Sequence, residues 1–223
     1  MGRPAALSRE RIVEAAIQLV ETGGAAALSA RRLGENLGCD ASALYRHFAN
    51  MGEVEREVGD RFLGLVDVRP LRGEDWQATA RRICVDLRKV QLQHPRFAAL
   101  VSAAPTRLAN ELRITEALLR ELRRSGLPPA EVARGYHSLI ELTVGSAAID
   151  APLAAEAPAM RRAAYQDWRR HYRSLDPAQF PSAVAVAPHL YDGSADDRFE
   201  HALDLLLDGL AARVQRPLDT TSR

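Results

Sequence analysis

The chain has 223 residues, 47% of them apolar and only 5% aromatic, and its 30 Lys and Arg against 29 Asp and Glu leave a formal charge of +1. That balance excludes a dedicated basic coat for nucleic acid, so any DNA contact must come from a local patch. No apolar run approaches the roughly 20 residues of a membrane span, and Arg9, Glu10 and Arg11 interrupt the start where a signal peptide would be apolar, so a cytoplasmic protein with no membrane partner is expected.

Leu and Ala dominate and β-branched residues are sparse, which predicts an all-α fold. Gly2, Arg3 and Pro4 form a short polar arm. Ser8 is placed to cap a first helix whose apolar positions Ile12, Val13, Ala16, Leu19 and Val20 share a face, with Gly23-Gly24 ending it. Two short helical stretches then flank Leu37-Gly38-Cys39, the first capped by Ser29 and the second by Asp40. Asn50 and Glu53 have the spacing of a capping box that opens a fourth helix, expected to run to about Val66.

The remainder reads as further helices. They run from Asp75 to His94, from Pro105-Thr106 to Ser125-Gly126, from Pro128-Pro129 to a stop at Pro152, and over Ala157 to Arg173. An irregular segment from Leu175 to Ser194 precedes a last helix from Asp196 to Val214. Residues after Gln215 read as a frayed tail.

The stretch from Ser29 to Asn50 carries the functional signal. Its second helix has Leu44 and Phe48 as its only large apolar residues and otherwise holds Ser42, Ala43, Tyr45, Arg46 and His47. A helix that buries one narrow stripe and exposes small, hydrogen-bonding and basic side chains suits a DNA major groove.

In order and spacing, GRP, SRERIVEAAIQLVETGG, LSARRLGENLG and ALYRHFANMGEV resemble the DNA-binding domain of the tetracycline-repressor (TetR) family. PLRGEDWQ, the Pro-Thr segment at Pro105 and RFEHALDLLLDGL are similar to that family's tetracycline-repressor C-terminal domain. The resemblance implies a three-helix helix-turn-helix domain over 1–50, a connecting helix over 51–67, a helical effector-binding and dimerisation domain over 68–215 and a disordered tail over 216–223. It also implies a homodimer with two DNA-reading heads and a ligand cavity in each core.

By the same resemblance, duplex DNA is contacted by Ser29, Ala30, Arg31, Ala41, Ser42, Ala43, Tyr45, Arg46 and His47. Ser29 and Tyr45 hydroxyls suit phosphate oxygens, Arg46 suits phosphate or a guanine edge, and Ala41, Ser42 and Ala43 are small enough to lie against bases. Arg3 is expected in the minor groove. Met51 stands where the family often has a phosphate-anchoring Lys, with Arg56 as the candidate replacement. The effector positions come out as Ile83, Leu87, Val101, His137, Glu141 and Trp168. Asp67, Ile83, Leu87 and Val101 replace the polar and metal-binding groups of the tetracycline repressor, so a tetracycline–magnesium complex is not expected as the ligand. No metal or other cofactor is expected.

Other features carry two readings. Trp76, Trp168, Tyr136 and Tyr172 either line a pocket or pack in a core. Glu141 is either a polar spot in a cavity or a solvent-facing residue. Arg161, Arg162, Arg169, Arg170 and Arg173 form either a solvated helix face or a site for an acidic effector or partner. His94, His137, His171, His189 and His201 share no metal spacing.

No Ser/His/Asp, Cys/His or paired-carboxylate arrangement supports catalysis, so an enzyme or a small-molecule carrier is a poor second. The expected function is a homodimeric repressor, paired through helices near 130–149 and 196–214, that binds a palindromic operator and leaves it when an unidentified small molecule occupies the C-terminal core. The nearer alternative is the same fold acting as an activator or without a ligand.

Overall fold

The computed structural model of the chain describes residues 6–102 and 105–214, the side chains of Val101 and Ser102 excepted. Arg3, the side chain of Val101 and the tail over 216–223 lie outside the described residues. Among the described residues all regular structure is helical.

The N-terminal elements are α1 (Arg9–Gly23), a 3₁₀ turn (Ala25–Ala27), α2 (Ala30–Leu37), a longer 3₁₀ segment (Ala41–Arg46) and α3 (Met51–Leu63). The expected caps are present. Ser8 Oγ accepts from the Arg11 N–H at 3.3 Å, Ser29 Oγ from Arg32 N–H at 3.4 Å and Asn50 Oδ1 from Glu53 N–H at 3.0 Å. The Glu53 carboxylate reaches back to the Ala49 N–H at 2.6 Å, one residue earlier than in the usual box. Around these elements Ile12, Val13, Val20, Leu33, Leu44, Phe48, Val54, Val58 and Phe62 make one core. Each such side chain contributes about 2 kcal/mol on burial.

The C-terminal elements are α4 (Trp76–Gln93), α5 (Pro95–Ser102), α6 (Ala109–Arg124), α7 (Pro129–Ala154), α8 (Pro158–Arg173), α9 (Pro181–Val186) and α10 (Ala195–Val214). Helices α4, α6, α7 and α10 enclose a second core containing Ile83, Cys84, Leu118, Leu122, Leu139, Leu203 and Leu207. Tyr136 and Trp76 pack against it, and the Tyr136 hydroxyl lies 2.8 Å from Thr115 Oγ1, so both belong to the packing reading.

Four boundaries differ from the sequence expectation. The fourth expected helix, α3, ends at Leu63 rather than Val66. The helix expected from Pro105-Thr106 begins at Ala109. α7 continues through Pro152 to Ala154: the proline costs one ladder bond, to the carbonyl four residues back, but the chain completes its last turn. The irregular stretch contains α9, started by Pro181 at its first position.

The two cores meet through α3 and α6. Asp60 is buried on α3, and its carboxylate caps α6 from outside that helix. It accepts from Asn110 N–H at 3.2 Å, Glu111 N–H at 3.0 Å, the Asn110 side-chain amide at 3.0 Å and the Thr106 hydroxyl at 3.1 Å. Leu108, at the cap position itself, offers no side-chain acceptor. In return Arg113 of α6 donates to the carbonyls of Leu63, Gly64 and Val66 at the end of α3. Helix α5 adds a second tie, since its Phe97 stacks on Phe62 in the N-terminal core with ring centroids 3.5 Å apart while the helix also packs against α7.

Asp60→Ala leaves buried donors unmet and is expected to lower stability by about 3 kcal/mol. The measurement is the urea midpoint at unchanged slope; a midpoint equal to wild type removes Asp60 from the junction. The Cys84 thiol is fully buried beside Thr143, and burial pushes its pKa up to about 12. Only the half-buried Cys39 is therefore expected to react with a thiol reagent at pH 8 in the native state, and both cysteines in denaturant.

Candidate nucleic-acid interface and ligand cavity

Helix α2 ends in a tight exchange with the turn that follows it. Gly38 has φ +66° and its N–H bonds Glu35 O, while Cys39 N–H bonds Gly34 O at 2.9 Å. This pair of bonds is the Schellman motif, and Gly38 supplies its left-handed residue. Gly34 is needed for a different reason. A Cβ there would lie 2.8 Å from Cys39 O and 3.2 Å from Ala41 N, so only glycine lets the incoming backbone pass this closely.

The element expected as a reading helix is a 3₁₀ segment, opened by Asp40, whose carboxylate accepts from Ser42 N–H at 2.8 Å. With about three residues per turn, side chains align every third position. Ser42 and Tyr45 form one column and both are exposed, Tyr45 to 49%. Leu44 falls in the inward column between half-buried Ala41 and His47. Ala43 turns into the core, which corrects its expected place against the bases; the α-helical period had put it on the outer face. Arg46 follows in the same column as Ala43 but extends into solvent.

Around this column the structure gathers most of the expected contacts. Tyr45 and Arg46 have no intrachain side-chain partner among the described residues. Ser29 uses its oxygen as a cap acceptor and keeps its hydroxyl proton for an anion. Ala30 is half-buried behind it. Arg31 is exposed and paired with Glu35 at 2.9 Å, a surface pair that a phosphate could replace. Met51 is half-buried against the N-terminal core, and Arg56 is exposed on α3.

The base of the segment is fixed by Arg9, a residue that the sequence reading passed over. Its guanidinium lies 4.1 Å from the Phe48 ring centroid, donates to His47 O and pairs with Glu57 at 2.6 Å and Glu53 at 2.9 Å. The Ala49 N–H and Arg9 together hold the Glu53 carboxyl below its ordinary range.

The expected effector positions do not converge. Ile83 and Leu87 are fully buried in the C-terminal core. Gln91, one turn further on, is buried with neither side-chain atom hydrogen-bonded. His137 and Glu141 are exposed and line an outer groove between α7 and α10. Trp168 is 39% exposed and rests edge-on against Tyr165, with Tyr191 beside both rings. The large cavity, about 810 Å³, lies instead between α4, α7, α8 and the start of α10. Among the described residues no cluster of three His, Cys, Asp or Glu could hold a metal ion, and no single helix is long and apolar enough to cross a membrane.

Comparison with known proteins agrees with this architecture. Residues 12–58 match the family described as bacterial regulatory proteins, tetR family, and residues 69–214 match the tetracyclin repressor-like C-terminal domain. A transcriptional regulator of Saccharopolyspora erythraea is 27% identical, the alignment covering 92% of this chain and 85% of that protein. The class C tetracycline repressor protein of Escherichia coli is 28% identical over 92% of this chain and 90% of its own. The Streptomyces coelicolor protein ActR, crystallised with actinorhodin, superposes with a TM-score of 0.84 at 26% identity, covering 95% of this chain and all of ActR.

Gly34→Ala is expected to displace the turn and weaken DNA binding at least about tenfold, at a stability cost of about 2 kcal/mol. Gel shift and thermal unfolding check it together. Unchanged DNA affinity would show that the close passage does not set the interface.

Proposed function

The chain belongs to the TetR family of DNA-binding transcriptional regulators, which are not enzymes, and we propose that it works as a homodimeric, ligand-responsive repressor of a palindromic operator. The observation that carries this reading is the exposed column of Ser42 and Tyr45 with free Arg46 beside it, held on a buried Leu44 and Phe48. In the proposed complex Ser29, Arg31 and Tyr45 bind phosphate, Arg46 takes phosphate or a guanine edge, and Ala41 and Ser42 face bases. Arg3 is proposed for the minor groove and His47 for a phosphate.

One such head reads only a few base pairs, so useful selectivity needs two, spaced about 34–36 Å apart. The pairing surface proposed is the outer face of α7 and α10. Ile149 is 80% exposed and Leu205 61%, an unusual display of apolar surface. Gly145 and Gly209 have open space where a Cβ would stand, so a partner helix can approach. The space at Gly135 is taken by Leu210 of the same chain.

An effector in the C-terminal domain would act by binding one head spacing better than the other, since equal affinity shifts nothing. The domain division proposed from the sequence, with α3 as connector, supports that route. ActR bound to (S)-DNPA or actinorhodin shows that a related protein takes organic ligands. The Ile83 and Leu87 positions offer no metal donor, so tetracycline–magnesium is not the proposed ligand.

The test is a duplex selected from genomic fragments, with binding and molecular mass measured together. Wild type is expected as a two-chain particle whose DNA affinity falls steeply with salt. Arg46→Ala should bind about tenfold more weakly at unchanged mass, and Leu205→Asp should give monomers that lose the operator. A monomeric wild type that ignores every duplex at low salt overturns the proposal.

A further inference from the structure

The cavity between α4, α7, α8 and α10 has a settled floor and an unsettled wall. On the floor, Arg88 is 3% exposed and is bound by Asp150 of α7 at 2.5 Å and by Asp196 of α10. Glu200, at the rim, is taken by Arg81 at 2.7 Å. Each acidic group lining the cavity therefore already has an arginine partner, Arg88 being shared by two of them. On the wall, Arg169 is held by Tyr191 O at 2.9 Å and faces Asp192. Arg161 bonds only the Ala154 carbonyl, and neither it, Arg162 nor Lys89 has a carboxylate partner among the described residues. These three cations line one cavity beside the Tyr165 ring and the apolar side chains of Leu92 and Leu153.

We propose that this cavity is the effector site and that its ligand is an organic anion, a carboxylate or sulfonate carried on a flat apolar body. The proposal rests on the regulatory reading above for the word effector, but not for the site. Arg161, Arg162 and Lys89 receive the anionic group: three cations on one wall with no carboxylate partner of their own among the described residues favour an anion over a neutral molecule. Tyr165, Leu92 and Leu153 cover the apolar body. The volume lies within the range of about 300–1,000 Å³ typical of small-molecule sites.

The probe is 8-anilinonaphthalene-1-sulfonate, with 1-anilinonaphthalene as the same ring system lacking the sulfonate. Fluorescence titration of the full chain should show one sulfonate bound per chain, about tenfold tighter than the neutral compound and weakened by salt. Arg161→Gln/Arg162→Gln should lose about tenfold for the sulfonate while keeping its affinity for the neutral probe. Lys89→Gln, on a different helix, should lose several-fold. Equal affinity for the two probes, or sulfonate binding unchanged in both variants, overturns the site. A saturating sulfonate should also weaken binding to the selected duplex, and DNA affinity unmoved by a bound sulfonate overturns the effector role. Because the titration uses no DNA, failure of the wild type to bind any duplex would strike the regulatory reading separately.

Discussion

Helices α3 and α6 complete each other's ends. The buried Asp60 carboxylate accepts from two amides at the start of α6, and Arg113 of α6 donates to the last carbonyl of α3, at Leu63, and to those of Gly64 and Val66 just beyond it. Four orphan amides and four orphan carbonyls at helix ends must find partners somewhere, and here each helix is the other's partner. The exchange makes α3 and α6 one body. Since Val54 and Val58 of α3 belong to the N-terminal core while Ile114 and Leu118 of α6 belong to the C-terminal one, the two cores cannot move independently at this point. Packed interiors transmit displacement because they do not compress.

Much of the N-terminal architecture was legible because its signals are local. Ser8, Ser29, Asp40 and Asn50 cap the residues that their spacing indicates, and Gly38 ends α2 in the left-handed conformation. What local patterns do not carry is the handover between helix types. Leu44 and Phe48 are four apart, the α-helical interval, yet the chain over Ala41–Arg46 is wound as 3₁₀, and Ala43 is buried. Gly34 was equally silent, since a glycine inside a helical pattern reveals its purpose only when the strand of chain that passes it is known.

The C-terminal domain was legible as helices but not as a site. Positions aligned with a ligand pocket, Ile83 and Leu87, are buried in the C-terminal core, and His137 and Glu141 line a groove between α7 and α10. The cavity is lined from α4, α7, α8 and α10, and no periodicity announces which faces of four separated segments converge. The arginines of α8 were visible as a series, but only the structure divides them. Arg161, Arg162 and Arg169 face the cavity, whereas Arg170 pairs with Asp167 on the surface.

Helix α8 leaves α7 at 110° and contains no buried residue, and its main neighbour is the short α9. Beyond its own backbone ladder it is held chiefly near its far end, by the tyrosine–tryptophan cluster, by Arg169 on the Tyr191 carbonyl and by Arg198 donating to the Tyr165 hydroxyl. Cooperative units of a protein open at free energies set by what they bury. In hydrogen exchange, the amides of α8 therefore belong to an early-opening unit, released by local fraying long before the α4 ladder is breached, and anything that fills the space beneath it slows that clock.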